Sequence, residues 1–433
     1  MVLTVGMACP GYQWDTAHPI AVERPIVRDP ASYLGSDAVA IARDFNAPRS
    51  PARAVRAPRK AAPPAEAPVR VGVIGCGYWG PQLIRNFSEL TEADLVAVAD
   101  SRPARLEYVH NRYDRVLALA DHTQLLASNV EAVVVATPIR SHHELTRAAL
   151  LAGKHVLVEK PLAASVEEAV DLVSLAEERG LTLMVGHTFL YNPAVAELRR
   201  MVRSGELGRI FYIDAARLNL GLFNPSVNVV WDLAPHDISI LIDILGHAPV
   251  SVSARGSCCV QAGVHDVAYL SLTFPNGVGA QIHVSWLDPA KVRRITIVGD
   301  AKMVVYNDVS LGEKIRVYDK GVTTPVTDSF GEFQLSYRYG AITIPYIEWQ
   351  EPLRLECADF LRSVRGGEPP VTDGYQGLVV VAVLEAAVES LRSGGREVAV
   401  EIPPRPAVQN ARLRLEEPAD GSEVLLRQLA ESA

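Results

Sequence analysis

From Val69 onward, short apolar runs alternate with longer segments in which apolar and polar residues recur at helical spacing. This alternation predicts βαβ units, in which helices join parallel strands. The runs predicted to be strands are VRVGVIG, DLVAVAD, EAVVVAT, KHVLVEK and LTLMVGH. Before the last of these, Ser165 and Glu168 form a capping box that opens a helix, and Gly180 closes it. We therefore predict an α/β domain with a parallel sheet over residues 68–188.

The pattern changes after about residue 190. Helical spacing in NPAVAELRRMVRSG and DLAPHDISILIDILG surrounds a strand near RIFYIDAARLNL, and several alternating strands follow. AYLSLTF and GAQIHVSW flank a Pro-Asn-Gly turn, which predicts a hairpin, and helices are expected at about 351–364 and 374–393. These elements predict an α+β domain over residues 189–405 with an open, mostly antiparallel sheet.

The two ends of the chain lack such a pattern. Residues 1–67 end in PRSPARAVRAPRKAAPPAEAP, a run rich in Pro, Ala and Arg that buries too little apolar surface to offset its ordering entropy. We expect a flexible N-terminal extension, either dispensable or used for docking. Residues 406–433 are expected to form a shorter C-terminal tail.

Composition narrows the class of protein. The 433 residues carry 42 Lys and Arg against 50 Asp and Glu, so the chain lacks the basic excess that nucleic acids and anionic membranes attract. It contains no apolar run of about 18 residues, the length that predicts a membrane span. The five cysteines form no CxxC pair or metal-ligand cluster, and their sparse, odd number suits a reducing compartment. We predict a cytoplasmic protein with no metal site.

The first chemical motif is GCGYWG, which contains Gly75, Gly77 and Gly80 and stands between the first strand and a helix. Glycines at this turn let backbone N–H groups approach a pyrophosphate at the positive end of the helix. Tyr78 and Trp79 lie inside the same turn and are predicted to border the cofactor. The order of strand, glycines and helix predicts a dinucleotide-binding, Rossmann-type domain.

An acidic residue, Asp100, ends the second strand, where a carboxylate accepts hydrogen bonds from an adenosine ribose. Its charge repels the 2′-phosphate of NADP, which favours NAD. Arg102, two residues later, is able to meet that phosphate instead, so NADP stays open as the alternative.

Three further residues carry ammonium, acid or base groups. Lys160 follows a central strand, and the carboxyl ends of parallel strands face the ligand crevice. Asp232 and His236 stand four residues apart, so on a helix they share a face and project into one pocket. Each has a structural alternative. The lysine is a solvated charge, the aspartate caps the helix because Pro235 needs the first turn, and the histidine is structural.

Together these motifs resemble the Gfo/Idh/MocA family of oxidoreductases over residues 69–402. The resemblance rests on the glycine motif, the strand end Ala136-Thr137-Pro138 followed by His142, the turn Ala152-Gly153-Lys154-His155, Glu159-Lys160-Pro161, and the D-x-x-x-H of Asp232 and His236. It implies a Rossmann domain that carries NAD(P). It also implies a C-terminal domain whose sheet often forms the interface of a homo-oligomer, here a dimer or a tetramer.

The resemblance further implies that Lys160, Asp232 and His236 form the catalytic group. A histidine near its unperturbed pKa suits a base for a hydroxyl proton, and a lysine ammonium stabilises a developing alkoxide. The strand ends are expected to supply further contacts to the cofactor, namely Thr137, Pro138, His142, Glu159 and Lys160.

The segments RLNLG, VVWDLAPHDISIL and SWLDPAKVRRITIVG look most like the branch of the family that acts on nucleotide-linked sugars. This likeness implies hydride transfer between nicotinamide and a secondary alcohol, with C3 of a UDP-N-acetylhexosamine as one expected position. Arg217 and Asn219 are predicted to contact the sugar together with the three catalytic residues, an exposed strand face being the alternative. Two other functions stay open: a redox-neutral NAD-dependent glycosidase, and a non-catalytic sensor of dinucleotide or sugar.

Overall fold

The computed structural model describes residues 67–221, 223, 227–323 and 336–406. The predicted extension 1–67 and the predicted tail 406–433 therefore fall outside the described residues, apart from residues 67 and 406.

The first part of the described chain alternates strands and helices, as its hydrophobic pattern predicts. The strands are β1 (Val69–Ile74), β2 (Ala93–Ala99), β3 (Leu117–Leu119), β4 (Ala132–Val135), β5 (His155–Glu159) and β6 (Leu183–Gly186). The helices are α1 (Gly80–Glu89), α2 (Pro103–Arg112), α3 (His122–Ala127), α4 (His142–Leu151) and α5 (Val166–Glu178). All six strands pair in parallel in the order β3-β2-β1-β4-β5-β6. This doubly wound order confirms the predicted Rossmann fold.

The second part builds a mixed sheet of nine strands within the described chain. It comprises α6 (Pro193–Arg203), β7 (Ile210–Leu218), α7 (Val229–Leu245), β8 (Ser251–Ser257), β9 (Val267–Thr273), β10 (Gly279–Ser285), β11 (Val292–Gly299), β12 (Met303–Asn307), β13 (Ile315–Thr323), β14 (Ser336–Thr343), α8 (Pro352–Val364), α9 (Gly374–Arg392) and β15 (Val398–Ala399). The strand order is β14-β13-β12-β11-β7-β10-β9-β8-β15. The pair β7 and β10 is parallel, whereas the other pairs are antiparallel, including the predicted hairpin of β9 and β10. The predicted mostly antiparallel sheet is confirmed.

Alternation along the strands gives this sheet two different faces. In β9, Leu270 and Leu272 are buried, whereas Tyr269, the residue before Leu270, is exposed. Apolar side chains of α6, α7 and α9 pack with the buried strand residues into one core. The opposite face, carrying Tyr269 and His283, is covered by no helix of the described chain.

Helix α8 joins the two parts, because it follows the second sheet in sequence but packs against the first. Phe360 meets Phe87 of α1 edge to face, with ring centroids 6.4 Å apart, and Leu353 and Cys357 enter the same core. Helix α9 contributes side chains to the cores of both sheets. Of the described helices, α9 is the one with the length and hydropathy to cross a membrane, and 78% of its apolar window is buried inside the protein.

The predicted boundaries of α5 are confirmed at both ends. The hydroxyl of Ser165 accepts the backbone N–H of Glu168 at 3.1 Å. Gly180 follows the last turn with φ of +63°, a left-handed conformation that glycine adopts without strain.

The alternative in which Asp232 caps α7 is wrong. The helix begins three residues earlier, and the side chain of Asn228 accepts the N–H groups of Val230 and Trp231 at 3.1 Å. Pro235 consequently lies inside the helix rather than in its first turn. Because proline has no N–H, the carbonyl four residues before it loses its usual helical donor. Asp232 is thus not the N-cap of α7.

Candidate active site

The carboxyl ends of strands from both sheets meet around one cleft of about 1120 Å³. The first sheet supplies one wall and the loops after β7 and β10 supply the other. Predicted site residues on its lining are Gly75, Gly77, Tyr78, Trp79, Asp100, Arg102, Thr137, Pro138, Glu159, Lys160, Asn219 and Asp232. This position agrees with the rule that open α/β sheets bind ligands beyond their strand ends.

The glycine loop after β1 shows two kinds of glycine. Gly75 has φ of +99°, and a Cβ there would lie 2.5 Å from the carbonyl oxygen of Ala136. A Cβ on Gly80 would lie 2.3 Å from the carbonyl oxygen of Gly75. At Gly77, by contrast, the nearest atom to a Cβ is a guanidinium nitrogen 3.8 Å away. The outer glycines are therefore required by the turn, whereas Gly77 leaves a cradle open at the start of α1, where a pyrophosphate fits.

Asp100 organises the loop ends beside this cradle. Its Oδ2 accepts the backbone N–H of Cys76 at 2.8 Å, and its Oδ1 accepts the backbone N–H of Arg102 at 2.9 Å. The Arg102 guanidinium donates to both carboxylate oxygens, at 3.0 and 3.1 Å. Burial favours the neutral acid, but the bonds from Arg102 and Cys76 outweigh it and lower the pKa of Asp100. Arg102 is thus paired with Asp100, the carboxylate predicted to bind the ribose of NAD, rather than left to meet the 2′-phosphate of NADP.

Other predicted cofactor contacts surround the cradle. Tyr78 is 80% exposed, and its ring meets that of Trp79 edge to face at 5.7 Å. Across the cleft, the hydroxyl of Ser141 donates to Thr137 Oγ1 at 2.9 Å, beside Pro138. The structure thus brings these contacts to one cleft.

His142 lies elsewhere than predicted. Its side chain is buried, with Nδ1 2.7 Å from the carbonyl oxygen of Pro161 and Nε2 2.8 Å from that of Thr137. A neutral imidazole donates to one of these carbonyls at a time. Because it is enclosed by two strand-end loops, His142 holds those loops together and does not line the cleft.

Lys160 and Asp232 meet although 72 residues separate them. The ammonium of Lys160 donates to the backbone carbonyl of Asp232 at 2.6 Å and lies 3.7 Å from Asp232 Oδ1. The indole N–H of Trp286 donates to Asp232 Oδ2 at 2.9 Å. The lysine side chain is only 12% exposed, so it is not the solvated charge of the alternative interpretation.

His236 lies one helical turn after Asp232. Its ring packs edge to face on Phe189 at 4.9 Å, and its Nδ1 is buried without a hydrogen-bond partner among the described residues. Burial, reinforced by the nearby cations Lys160 and Arg217, lowers the pKa of His236 well below its usual 6.5. The imidazole is therefore neutral at pH 7 and has a nitrogen free to accept a proton. The expectation of a histidine near its unperturbed pKa is wrong, because burial and the two cations make His236 a weaker base than an ordinary histidine.

The two predicted sugar contacts separate in the structure. Asn219 lines the cleft, with its N–H bound to the carbonyl of Ser285 at 3.1 Å. Arg217 lies behind the wall, 5% exposed, and donates to both carboxylate oxygens of Asp237 at 2.7 and 3.0 Å. Its guanidinium also covers the ring of Phe189 at 4.4 Å. The buried position of Arg217 does not place it in contact with a sugar in the cleft, and the alternative of an exposed strand face is wrong for this residue.

Three residues near the predicted catalytic group, Trp286, His187 and Phe189, were not among the residues predicted from the sequence. The first two stand directly after β10 and β6, so the strand-end rule that singled out Lys160 applies to them as well. Phe189 gives no such signal, because its role depends on contacts with residues distant in the chain. Among the described residues, no three His, Cys, Asp or Glu side chains gather as a metal site requires.

Two family models match this chain. One, described as an oxidoreductase family with an NAD-binding Rossmann fold, matches residues 69–187, and the GFO/IDH/MocA C-terminal domain matches residues 195–305. The chain belongs to the GFO/IDH/MocA oxidoreductase family. The first match contains the glycine loop and Lys160, and the second contains Asp232 and His236, so the predicted resemblance is confirmed.

GFO/IDH/MocA proteins of known activity match most of the chain. UDP-N-acetylglucosamine 3-dehydrogenase of Acidithiobacillus ferrooxidans is 29% identical over 330 residues, which cover 74% of this chain and 98% of that one. Myo-inositol 2-dehydrogenase of Thermotoga maritima is 28% identical over 337 residues, covering 75% and 96%. The solved structure of the Acidithiobacillus enzyme superposes with a TM-score of 0.62 at 27% identity, covering 75% of this chain and 97% of that chain.

The cofactor of this GFO/IDH/MocA protein is NAD. The matching family model is an NAD-binding one, and the residues present fit the dinucleotide. Gly77 leaves room for a pyrophosphate at the start of α1, and Asp100 offers a carboxylate where an adenosine ribose binds.

Proposed function

We propose that this enzyme oxidises a secondary alcohol of a nucleotide-linked sugar, at C3 of a UDP-N-acetylhexosamine. Membership of the family and the likeness to named dehydrogenases support an NAD(P)-dependent sugar or nucleotide-sugar dehydrogenase. The finer substrate is supported by the Acidithiobacillus relative and by the size of the cleft, about 1120 Å³, which Lys160 and Asp232 line together with the glycine cradle. The observation that carries the proposal is the contact of Lys160 with Asp232 on the cleft that the glycine cradle also lines, with His236 one helical turn after Asp232.

In this proposal the side chains handle the hydroxyl proton. His236, neutral at pH 7, accepts the proton, and the Lys160 ammonium stabilises the negative charge that develops on the oxygen. Asp232, held by the indole of Trp286, keeps the ammonium in place. When bound, NAD supplies the nicotinamide that accepts the hydride from the carbon that bears this hydroxyl.

The test is a substrate screen coupled to one variant. UDP-, dTDP- and GDP-sugars, free hexoses and inositols are incubated with NAD, and NADH is followed by its absorbance. We expect reduction of NAD with UDP-N-acetylglucosamine and a loss of turnover of roughly 10²–10⁴-fold in Lys160→Met, the usual scale for a positioned acid or base. This variant should still bind NADH, with no more than the modest loss of affinity that follows from removing one predicted cofactor contact.

Three outcomes would contradict this proposal. Cleavage of a glycoside without net NADH would favour the redox-neutral glycosidase. Binding of dinucleotide and sugar without any turnover would favour the sensor. Turnover near wild type in Lys160→Met would remove the lysine from the mechanism.

We also propose that the enzyme self-associates through the outer face of its second sheet. Tyr212 and Tyr269 are at least half exposed there, and Tyr269 stacks on His283 at 4.2 Å. A sheet face without a helical cover leaves such aromatic surface to a second copy of the chain. Light scattering on the purified protein should give the mass of a dimer or a tetramer, and a monomer would contradict the assignment.

A cytoplasmic location is proposed as well, in keeping with the free thiols of Cys76, Cys258, Cys259 and Cys357.

A further inference from the structure

Two buried histidine rings carry ring nitrogens without a hydrogen-bond partner among the described residues, and one of these rings is the proposed base. His236 Nδ1 is one of these nitrogens, and both ring nitrogens of His187 are buried as well, without a partner among the described residues. His187 follows β6 and precedes a short 3-10 helix, Thr188–Tyr191, that packs on both α7 and α8. His187 contributes to the lowered pKa of His236, which places the two rings near each other. An imidazole has one nitrogen that donates and one that accepts, so each of these unpaired rings is able to receive a proton at one nitrogen and release one at the other.

Glu159 stands on the other side of His187. It is the last residue of β5 and pairs in register with Gly186, the residue before His187. Its Oε2 lies 3.2 Å from the position that a Cβ on Gly186 would take, so the carboxylate rests against that backbone. Glu159 is also one of the residues that line the cleft. Its carboxylate thus lies between the cleft and the backbone next to His187.

We propose that His187 and Glu159 carry the alcohol proton away from His236, and that Glu159 holds it before release to solvent. The inference rests on the proposed function. Glu159 acts through His236 and is a positioning residue, since hydride transfer itself does not involve it.

The pKa of His187 is lower than the pKa of Glu159, as transfer of a proton from the imidazole to the carboxylate requires. Burial, together with the ammonium of Lys160, lowers the pKa of His187 to about 3, so this ring passes a proton on and does not keep it. Burial raises the pKa of Glu159 to about 7, against the opposing effects of the Lys160 ammonium and the Lys160 N–H. Near neutral pH, Glu159 is thus the group able to gain a proton and lose it again.

Further groups surround this carboxylate. Helix α8 presents Glu356 and Cys357, and α7 presents Asp232 to the lysine beside it. Glu356 is 1% exposed and accepts the hydroxyl of Thr188 at 2.7 Å. Burial, with the charge of Glu159 next, raises the pKa of Glu356 well above its usual value, so Glu356 stays protonated while Glu159 titrates.

The relay moves one proton from the alcohol to water, and each step breaks one bond to hydrogen and forms another. The alcohol O–H breaks and its proton binds His236, while the hydride leaves the carbon with both electrons of the C–H bond. His236 then loses its Nδ1 proton toward His187, which passes one to Glu159, each ring changing tautomer. Glu159 finally releases the proton to water in the cleft. Ionised Glu159 is required, so the oxidation rate should rise as pH increases through about 7.

The experiment compares Glu159→Gln with Glu356→Gln in the full-length enzyme with NAD and UDP-N-acetylglucosamine. The first variant keeps size and polarity but cannot ionise. We expect kcat to fall on the order of 10–100-fold, the rise near pH 7 to vanish, and added imidazole to restore part of the rate. Glu356→Gln mimics a carboxyl that is already protonated, so its pH profile should keep the rise. NADH affinity and the melting temperature serve as folding controls.

A second readout needs no turnover. Glu356 contributes a protonated-carboxyl infrared band that should persist across neutral pH, so the readout is the part of the band that changes. In the wild type one component should disappear between about pH 6 and 8, and no component should disappear over this range in Glu159→Gln. A pH profile that Glu159→Gln leaves unchanged, with wild-type turnover present, would overturn the relay alone. A wild type that reduces no NAD with any sugar, while the carboxyl still titrates, would overturn the proposed function and the relay with it.

Discussion

The buried pair of Arg217 and Asp237 offers a direct way to separate a structural role from sugar binding. Both side chains are almost inaccessible, at 6% and 2% exposure, and two hydrogen bonds join them. Arg217→Met keeps much of the volume but leaves the aspartate charge buried and unpaired. Removing one partner of such a pair costs about 3–5 kcal/mol of folding free energy, which lowers the folding equilibrium constant by roughly 10²–10⁴.

The assay is urea unfolding followed by circular dichroism, with the free energy of unfolding taken by linear extrapolation. A matched control is Arg396→Met, whose exposed pair with Glu389 spans 3.4 Å and should contribute about 0–1 kcal/mol. The double variant Arg217→Met/Asp237→Leu should recover most of the lost stability, because it leaves no unpaired charge.

Kinetics on the same preparations complete the comparison. Arg217 covers Phe189, which packs on His236, so Arg217→Met should lower kcat while the KM for the sugar changes little. An Arg217→Met protein as stable as the Arg396→Met control, with a KM raised tenfold or more, would refute the reasoning. The arginine would then belong to the sugar site after all.

Three other predictions concern the cleft. Gly77→Val should weaken NADH binding by roughly two orders of magnitude or more in a fluorescence titration, with an unchanged melting temperature, because the side chain fills the pyrophosphate cradle. Unaltered NADH affinity would move the cofactor site elsewhere. Asp100→Ala should raise the affinity for NADP relative to NAD roughly tenfold, since it removes the repulsive charge and frees Arg102; a wild-type preference for NADP would contradict this role. Trp286→Phe removes one donor to Asp232 and should lower kcat about tenfold with NADH affinity intact, whereas an unchanged kcat would show that the indole is dispensable.

Much of the fold was predictable because its signals are local. Continuous apolar runs predict buried parallel strands, and a glycine-rich turn between strand and helix needs no distant partner to be recognised. Gly80 illustrates this, since the atoms that exclude a Cβ there belong to Gly75 in the same loop. The strand-end rule likewise predicted that Lys160 faces the crevice.

The site was less predictable where it depends on long-range packing. The meeting of Lys160 with Asp232 follows from how the two sheets stand together, which residue spacing does not encode. The start of α7 was misjudged because a proline was assumed to need the first helical turn, and tertiary packing tolerates Pro235 further along. Arg217 occupies an inward position of a strand, and the polarity of its side chain concealed the buried partner that satisfies it.

The placement of α8 has a consequence for how the chain matures during synthesis. Phe360 and its neighbours close the apolar face formed by β1 and α1, yet they are translated long after those elements. The cofactor-binding sheet therefore leaves the ribosome with Phe87 uncovered and is completed only after the second sheet has been made. A nascent or truncated chain that stops before Pro352, the start of α8, presents this uncovered surface to chaperones and proteases. Biogenesis of the NAD-binding half is thus coupled to translation of nearly the whole enzyme.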